Sequence, residues 1–235
     1  MKLALIFNPH SGGQTGKKEL PRIKEILASH QIEFDLLISE YHKHIIELCA
    51  HLDVNAYDGI IGIGGDGTNF QVINGLLRSN SPDQLPPIGL IPVGSGNSFA
   101  KDLNIESLAD GLSAIAGQKT REVDVCSYDS EDSQVYFVNL MGFGFVTDAA
   151  DTAQKFKFLK DASYVIGVLY RTISLSYHQL DMEIDGQKIK GDNCFVECCN
   201  SRYTGGNMLM APDAEIDDGL MDIVIAGPLS RTSLL

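Results

Sequence analysis

Over roughly the first hundred positions, apolar residues come in short runs, three of which end in a polar, glycine-rich turn followed by apolar residues at helical spacing. Residues 2–7 (KLALIF) predict a buried strand, residues 8–16 (NPHSGGQTG) a loop, and Leu20, Ile23, Ile26 and Leu27 one face of a helix. A second strand is expected over 33–38, followed by Ser39-Glu40 and a helix over 44–52. Residues 60–75 (IIGIGGDGTNFQVING) form the sharpest unit: a strand stopping at Ile63, a turn of three glycines around Asp66, and a helix from near Thr68. A short strand over 88–91 then runs into IPVGSGNSFAKDL at 91–103, where a Gly-Ser-Gly-Asn turn again precedes a helix. Repetition of this strand, glycine loop and helix unit predicts an open α/β sheet whose loops gather at the carboxyl ends of the strands.

The pattern changes near Thr120. Strand-like runs follow at 122–128, 135–140, 180–184, 194–199 and 220–225, with turn pairs at Asp185-Gly186 and Asp218-Gly219 and one helical stretch over 149–176. The expected organisation is therefore an α/β unit over 1–120 and a mostly β unit over 121–235.

Composition narrows the function classes. A net charge of −13 argues against a general nucleic-acid binder and against broad adsorption to an acidic membrane. Cys49, Cys126, Cys194, Cys198 and Cys199 are odd in number and spaced for neither a disulfide framework nor paired zinc knuckles, so reduced thiols and a cytoplasmic setting are expected. No stretch approaches the about 20 apolar residues of a membrane span, because the run over 165–175 is cut by Arg171. A soluble or peripheral protein follows as the expectation.

The glycine turns suit phosphate, since glycine lets the backbone take positive φ and approach a ligand, and a helix start adds unpaired N–H groups. Neither the GxxxxGK[ST] nor the GxGxxG fingerprint is present. Asp66 is the odd member. A carboxylate at an anion site is repelled unless a metal or a transferable proton accounts for it, so Asp66 reads as chemistry. The plain alternative is a strand-turn-helix junction with a turn-forming Asp-Gly pair.

NPHSG at 8–12, GGDGT at 64–68 and IPVGSGNSFAKDL at 91–103 resemble the three nucleotide-site blocks of the diacylglycerol and sphingosine lipid kinase family. MGFGFVTDA at 141–149 and YTGGNMLMAPDAEIDDGLMDIVI at 203–225 resemble its later blocks. GGDGT alone is shared with NAD kinases and phosphofructokinases; five blocks in the family's order are specific. The resemblance implies an ATP-dependent kinase of a lipid hydroxyl. Its fold would be a Rossmann-like α/β nucleotide domain of the NAD kinase and diacylglycerol kinase type, followed by a β-sandwich lipid domain, with the site between them. Implied nucleotide-binding residues are Asn8, Ser11, Gly12, Ser39, Gly64, Gly65, Gly67, Thr68, Gly94, Ser95, Gly96 and Asn97, the glycines bringing N–H donors to the phosphates. Asp66 would activate the substrate hydroxyl or bind Mg²⁺, and the resemblance leaves both roles open. Asp148 would face the lipid head group, and Lys157 would either reach ATP phosphates or form part of a solvated helix face. A structural magnesium would be held by the Asp218 side chain and the backbone carbonyls of Glu215 and Leu220, the alternative there being a hairpin turn with solvated acids. Expected partners are ATP and a lipid presented by a membrane surface, through transient peripheral contact.

The chain also departs from the family. Asn69-Phe70-Gln71 stands where relatives usually carry Leu, a variable residue and Glu. GSGNS, with Ser95 and Ser98, and SEYHKH at 39–44 lean toward sphingosine and ceramide kinases, whereas YTGGNMLMAP leans toward bacterial members. Relatives continue to a DGE motif whose Asp is the proposed base in bacterial enzymes; the sequence ends at Leu235 without it. The expectation is either a fragment of a longer protein or an activity resting wholly on Asp66. An exposed sandwich edge favours association, and a homodimer is among the expectations.

Overall fold

The computed structural model describes residues 1–130, 134–144 and 177–228. β1 (Lys2–Phe7), β2 (Glu33–Ile38), β3 (Gly59–Gly64) and β4 (Ile88–Pro92) form a parallel sheet in the order β2-β1-β3-β4. Five helices accompany them: α1 (Thr15–Ser29), α2 (His44–Ala50), α3 (Asp66–Leu77), α4 (Ser98–Asp102) and α5 (Leu108–Ala116). The central strands read as continuous apolar runs because helices cover both sheet faces. On one face Leu5, Phe7 and Ile63 pack with Ile23 and Leu27 of α1 and Leu112 of α5. On the other, Ala4, Ile6 and Ile60 pack with Ile45 and Cys49 of α2 and Val72 and Leu76 of α3. From β1 the chain passes to β2 on one side, then crosses back to β3 on the other. The strand order therefore reverses between β1 and β3, and the crevice of a doubly wound sheet opens there, at the carboxyl ends.

The remaining strands are antiparallel: β5 (Cys126–Asp129), β6 (Gln134–Phe137), β7 (Leu140–Gly144), β8 (His178–Ile184), β9 (Gln187–Asn193), β10 (Phe195–Cys199), β11 (Tyr203–Thr204), β12 (Met208–Leu209) and β13 (Asp222–Ala226). They pair as β5 with β6, β8 with β9, β11 with β12, and a three-stranded sheet β13-β10-β7. The predicted β8-β9 turn is present, with positive φ at Asp185 (50°) and Gly186 (78°), the geometry a two-residue hairpin needs.

Several expectations are corrected. The single strand expected over 135–140 is two strands, interrupted at Val138-Asn139, and the run expected from 122 pairs only from Cys126. Asp218-Gly219 is not a hairpin turn, because no strand precedes it. The third helix starts at Asp66 and not near Thr68, and the second ends at Ala50. The helical stretch expected over 149–176 lies outside the described residues.

The α/β and β parts share a core. Ile73 of α3 and Phe99 and Ala100 of α4 pack with Val138 and Ile216. Asn74, buried in the middle of α3, adds a polar link: its Nδ2 donates to the carbonyl of Tyr136 at 2.8 Å, and its Oδ1 accepts from Tyr136 N at 2.9 Å. The helix side chain takes the place of a neighbouring strand on β6. Among the described residues the outer edge of β4 is unpaired and borders a groove of about 1010 Å³, lined by Leu90, Phe99, Ile105, Ala114 and Val123 among others.

Glu197 on β10 is wholly buried, and neither carboxyl oxygen has a hydrogen-bond partner among the described residues. It fills space left by Gly142 on β7, where a Cβ would stand 2.3 Å from Oε1. Burial pushes its pKa up from 4.5 to about 7. A raised folded-state value means the native protein holds this proton more tightly than the unfolded chain does. The resulting stabilisation is complete below the unfolded value and is lost as pH rises through the folded one. Unfolding free energy from urea titrations should therefore fall between about pH 4.5 and 7. Glu197→Gln should flatten that slope and be more stable than the parent at about pH 8, by on the order of 2–3 kcal/mol.

Candidate active site

The loop after β1 is tied to the start of α3. Asn8 Nδ2 donates to Thr68 Oγ1 at 3.1 Å, and Ser11 Oγ lies 3.3 Å from the same hydroxyl. Thr68 is buried, so its hydroxyl is an internal clasp. Ser39, at the end of β2, is also buried and donates its N–H to the carbonyl of Phe7 at 2.9 Å. The loop after β4 joins through the carbonyl of Gly64, which accepts from Val93 N at 2.9 Å and Gly94 N at 3.2 Å.

Positive φ is not what most of these glycines supply. Gly65 has φ −116°, and among the proposed site glycines only Gly12 takes positive φ. Gly65 and Gly94 instead stand backbone against backbone: a Cβ on Gly94 would lie 2.4 Å from Gly65 Cα. Asn97, at φ 55°, locks the second turn, accepting from Gly94 N at 3.2 Å and donating to Gly94 O at 2.8 Å. Gly67 and Ser95 are the exposed members of the set.

This contact brings Asp66 to the first turn of α4. Its Oδ2 accepts from Ser98 N at 2.9 Å, and its Oδ1 accepts from Phe99 N at 3.2 Å and Asn139 Nδ2 at 3.4 Å. Gly96 is adjacent: a Cβ there would stand 3.1 Å from Oδ2. The YTGGN segment closes on the same turn. Gly206 N donates to Ser98 Oγ at 2.9 Å, Arg202 Nε donates to the buried Asp102 carboxylate at 2.6 Å, and Lys101 pairs with Asn207. Lys101 and Arg202 also lie over the ring of Tyr203, at 5.5 and 5.4 Å from its centroid.

The structure thus gathers Asn8, Ser11, Gly12, Gly64, Gly65, Thr68, Gly94, Gly96 and Asn97 around Asp66. Asn139, Arg202 and Gly206 were missed as individuals by sequence reasoning, although Arg202 and Gly206 lie in or beside a quoted motif. Asp148 and Lys157 lie outside the described residues. Glu215, Asp218 and Leu220 occupy a separate loop, where Asp218 Oδ1 accepts from Leu220 N at 2.9 Å and Asp124 Oδ2 from Gly219 N at 2.7 Å. Arg121 pairs with Asp217 in the same loop at 2.7 Å. No group of three or more His, Cys, Asp or Glu arranged to hold a metal occurs among the described residues.

Residues 2–128 match the diacylglycerol kinase catalytic domain. The chain belongs to that family. Residues 139–235 match the YegS C-terminal NAD kinase beta sandwich-like domain. A diacylglycerol kinase of Bacillus subtilis (strain 168) is 28% identical over 225 residues, covering 94% of this chain and 72% of the relative. Sphingosine kinase 1 of Arabidopsis thaliana is 27% identical and covers all of this chain, which spans 58% of the plant protein's length. The crystal structure of a diacylglycerol kinase from Bacillus anthracis str. Sterne matches with a TM-score of 0.77 and 26% identity, over 96% of this chain and 73% of that one. The α/β sheet followed by an antiparallel, sandwich-like part is the arrangement of this diacylglycerol kinase family.

Within the family site, the Gly65–Gly94 contact is the most exacting. Gly94→Ala should cost about 2–3 kcal/mol of stability, because the new methyl meets backbone that cannot rotate away. Gly67→Ala, with open space around its Cβ, should stay within about 0.5 kcal/mol of the parent. Thermal denaturation of the two variants checks the contrast, and calorimetry with ATP should show binding lost in Gly94→Ala.

Proposed function

We propose that this protein transfers the γ-phosphoryl group of ATP to a hydroxyl of a diacylglycerol or sphingoid-type lipid, met by peripheral contact with a membrane surface. The observation that carries this reading is Asp66, a carboxylate oriented by three donors at the crevice where the glycine loops meet. Phosphoryl transfer asks mainly for positioning and charge neutralisation. Backbone N–H groups around Gly12, Gly67, Ser95 and Gly96 supply the first of these for the phosphates, and Asn8, Ser11, Ser39 and Asn97 frame the nucleotide.

Asp66 acts as base: it takes the proton from the acceptor hydroxyl as that oxygen bonds to the γ-phosphorus and the bond to ADP breaks. Mg²⁺ would neutralise phosphate charge when bound, and its ligands would be phosphate oxygens and water, because the carboxylate of Asp66 is taken up by its donors and the transferred proton. A second magnesium at Glu215, Asp218 and Leu220 would brace the loop next to Arg121. Among the described residues no helix is long and apolar enough to cross a membrane.

Labelled ATP and vesicles carrying diacylglycerol or a sphingoid base provide the test. Phosphorylated lipid is expected from the parent chain. Asp66→Asn should lose at least about a thousandfold in turnover while keeping its circular dichroism spectrum and ATP affinity. ATP binding without transfer to either lipid would instead mark a nucleotide-binding module.

A further inference from the structure

Asp66 takes one of its three hydrogen bonds from outside the α/β part. Among the described residues, Oδ1 receives two donors, Phe99 N and Asn139 Nδ2, whereas Oδ2 receives one, Ser98 N. A carboxylate oxygen can accept two hydrogen bonds, so Oδ1 is filled and Oδ2 keeps a free lone pair. The point 3.1 Å from Oδ2 where a Gly96 Cβ would stand is also 3.6 Å from Gly206 N, so this side of the carboxylate is walled by glycine backbone.

We propose that Asn139 is a positioning residue for the catalytic carboxylate: its amide fills Oδ1 of Asp66, leaving Oδ2 as the oxygen that receives the proton of the acceptor hydroxyl. This rests on the reading of Asp66 as base. The backbone of Asn139 is fixed independently of its side chain. Its carbonyl accepts from Asn200 N at 2.8 Å and Ser201 N at 3.1 Å. Asn200, itself fully buried, donates Nδ2 to the carbonyls of Val138 at 3.0 Å and Asp124 at 3.1 Å. Asn139 also sits at the interruption between β6 and β7, where leaving the ladder lets its side chain turn toward α4 instead of alternating across a sheet. At 3.4 Å the bond to Asp66 is long, as hydrogen bonds of catalytic groups commonly are before substrate draws a site together.

Asn139→Ala, Asn139→Ser and Asn139→Asp keep the backbone bonds and change only what Asp66 meets. With labelled ATP and phosphatidylcholine vesicles carrying diacylglycerol or, in a parallel arm, a sphingoid base, kcat should fall roughly tenfold to a hundredfold in Asn139→Ala. Asn139→Ser, which restores a donor, should recover part of the loss, and Asn139→Asp, isosteric but repelling Asp66, should be the slowest. KM for ATP and the melting temperature should stay at the parent values in the alanine and serine variants. A parent that works with alanine and aspartate variants equally fast, or a loss confined to KM or melting temperature, overturns the assignment while the kinase reading stands. A parent that transfers no phosphate to either lipid overturns the kinase reading and this assignment with it.

Discussion

Two backbones meet where no side chain could stand, at Gly65 and Gly94, and the site depends on that contact. Because the loops after β3 and β4 touch, the residue after Gly65 reaches N–H groups more than thirty positions further along the chain. Those N–H groups belong to the first turn of α4, which has no intrahelical acceptors for them. The carboxylate of Asp66 therefore satisfies two orphan donors while being held in one orientation. Hydrogen bonds to a charged group are each worth about 1.5–3 kcal/mol, enough to order a short helix that propensity alone would not sustain. An acid among glycine turns is less anomalous once its donors are identified: it faces the N–H groups of the neighbouring turn.

The β part is bound into this arrangement through α4. The segment from Asn200 to Asn207 holds Asn139 at its start, Asp102 in its middle, and Ser98 and Lys101 at its end. Asp102 is buried, with one oxygen on Arg202 and the other without a partner among the described residues, so separating it from the guanidinium would strand a charge away from water. The two sequence matches, 2–128 and 139–235, thus describe parts joined through the five-residue α4 and through α3.

Much of the α/β part was legible because glycine follows three of its four strands and the helices declare themselves by apolar spacing. The loops carrying Asn8, Gly64 to Thr68, and Gly94 to Asn97 were placed correctly at the carboxyl ends of the strands. Less was legible in the β part. β9, QKIKGDN, is too polar to read as a strand, and its pairing follows only from the turn before it. The interruption at Val138-Asn139 is invisible in an apolar run, because the partner of Asn139 is a carboxylate 73 positions away. The reason for Gly65 and Gly94 was also hidden, since a contact between two loops leaves no periodic trace. Glu197 was visible as an acid inside the apolar FVECC run, but its burial depends on the missing side chain of Gly142 on another strand.

α3 begins at Asp66 and carries Asn74 two turns later, and each of these residues is bonded to the β part, one through Asn139 and the other through the backbone of Tyr136. Eight residues of helix separate the two attachments by about 12 Å. Two points alone would leave a rotation about the line through them, close to the axis of α3. The bonds from α4 to Arg202, Gly206 and Asn207 lie off that line and remove it. Asp66 therefore sits in a frame that both parts make together.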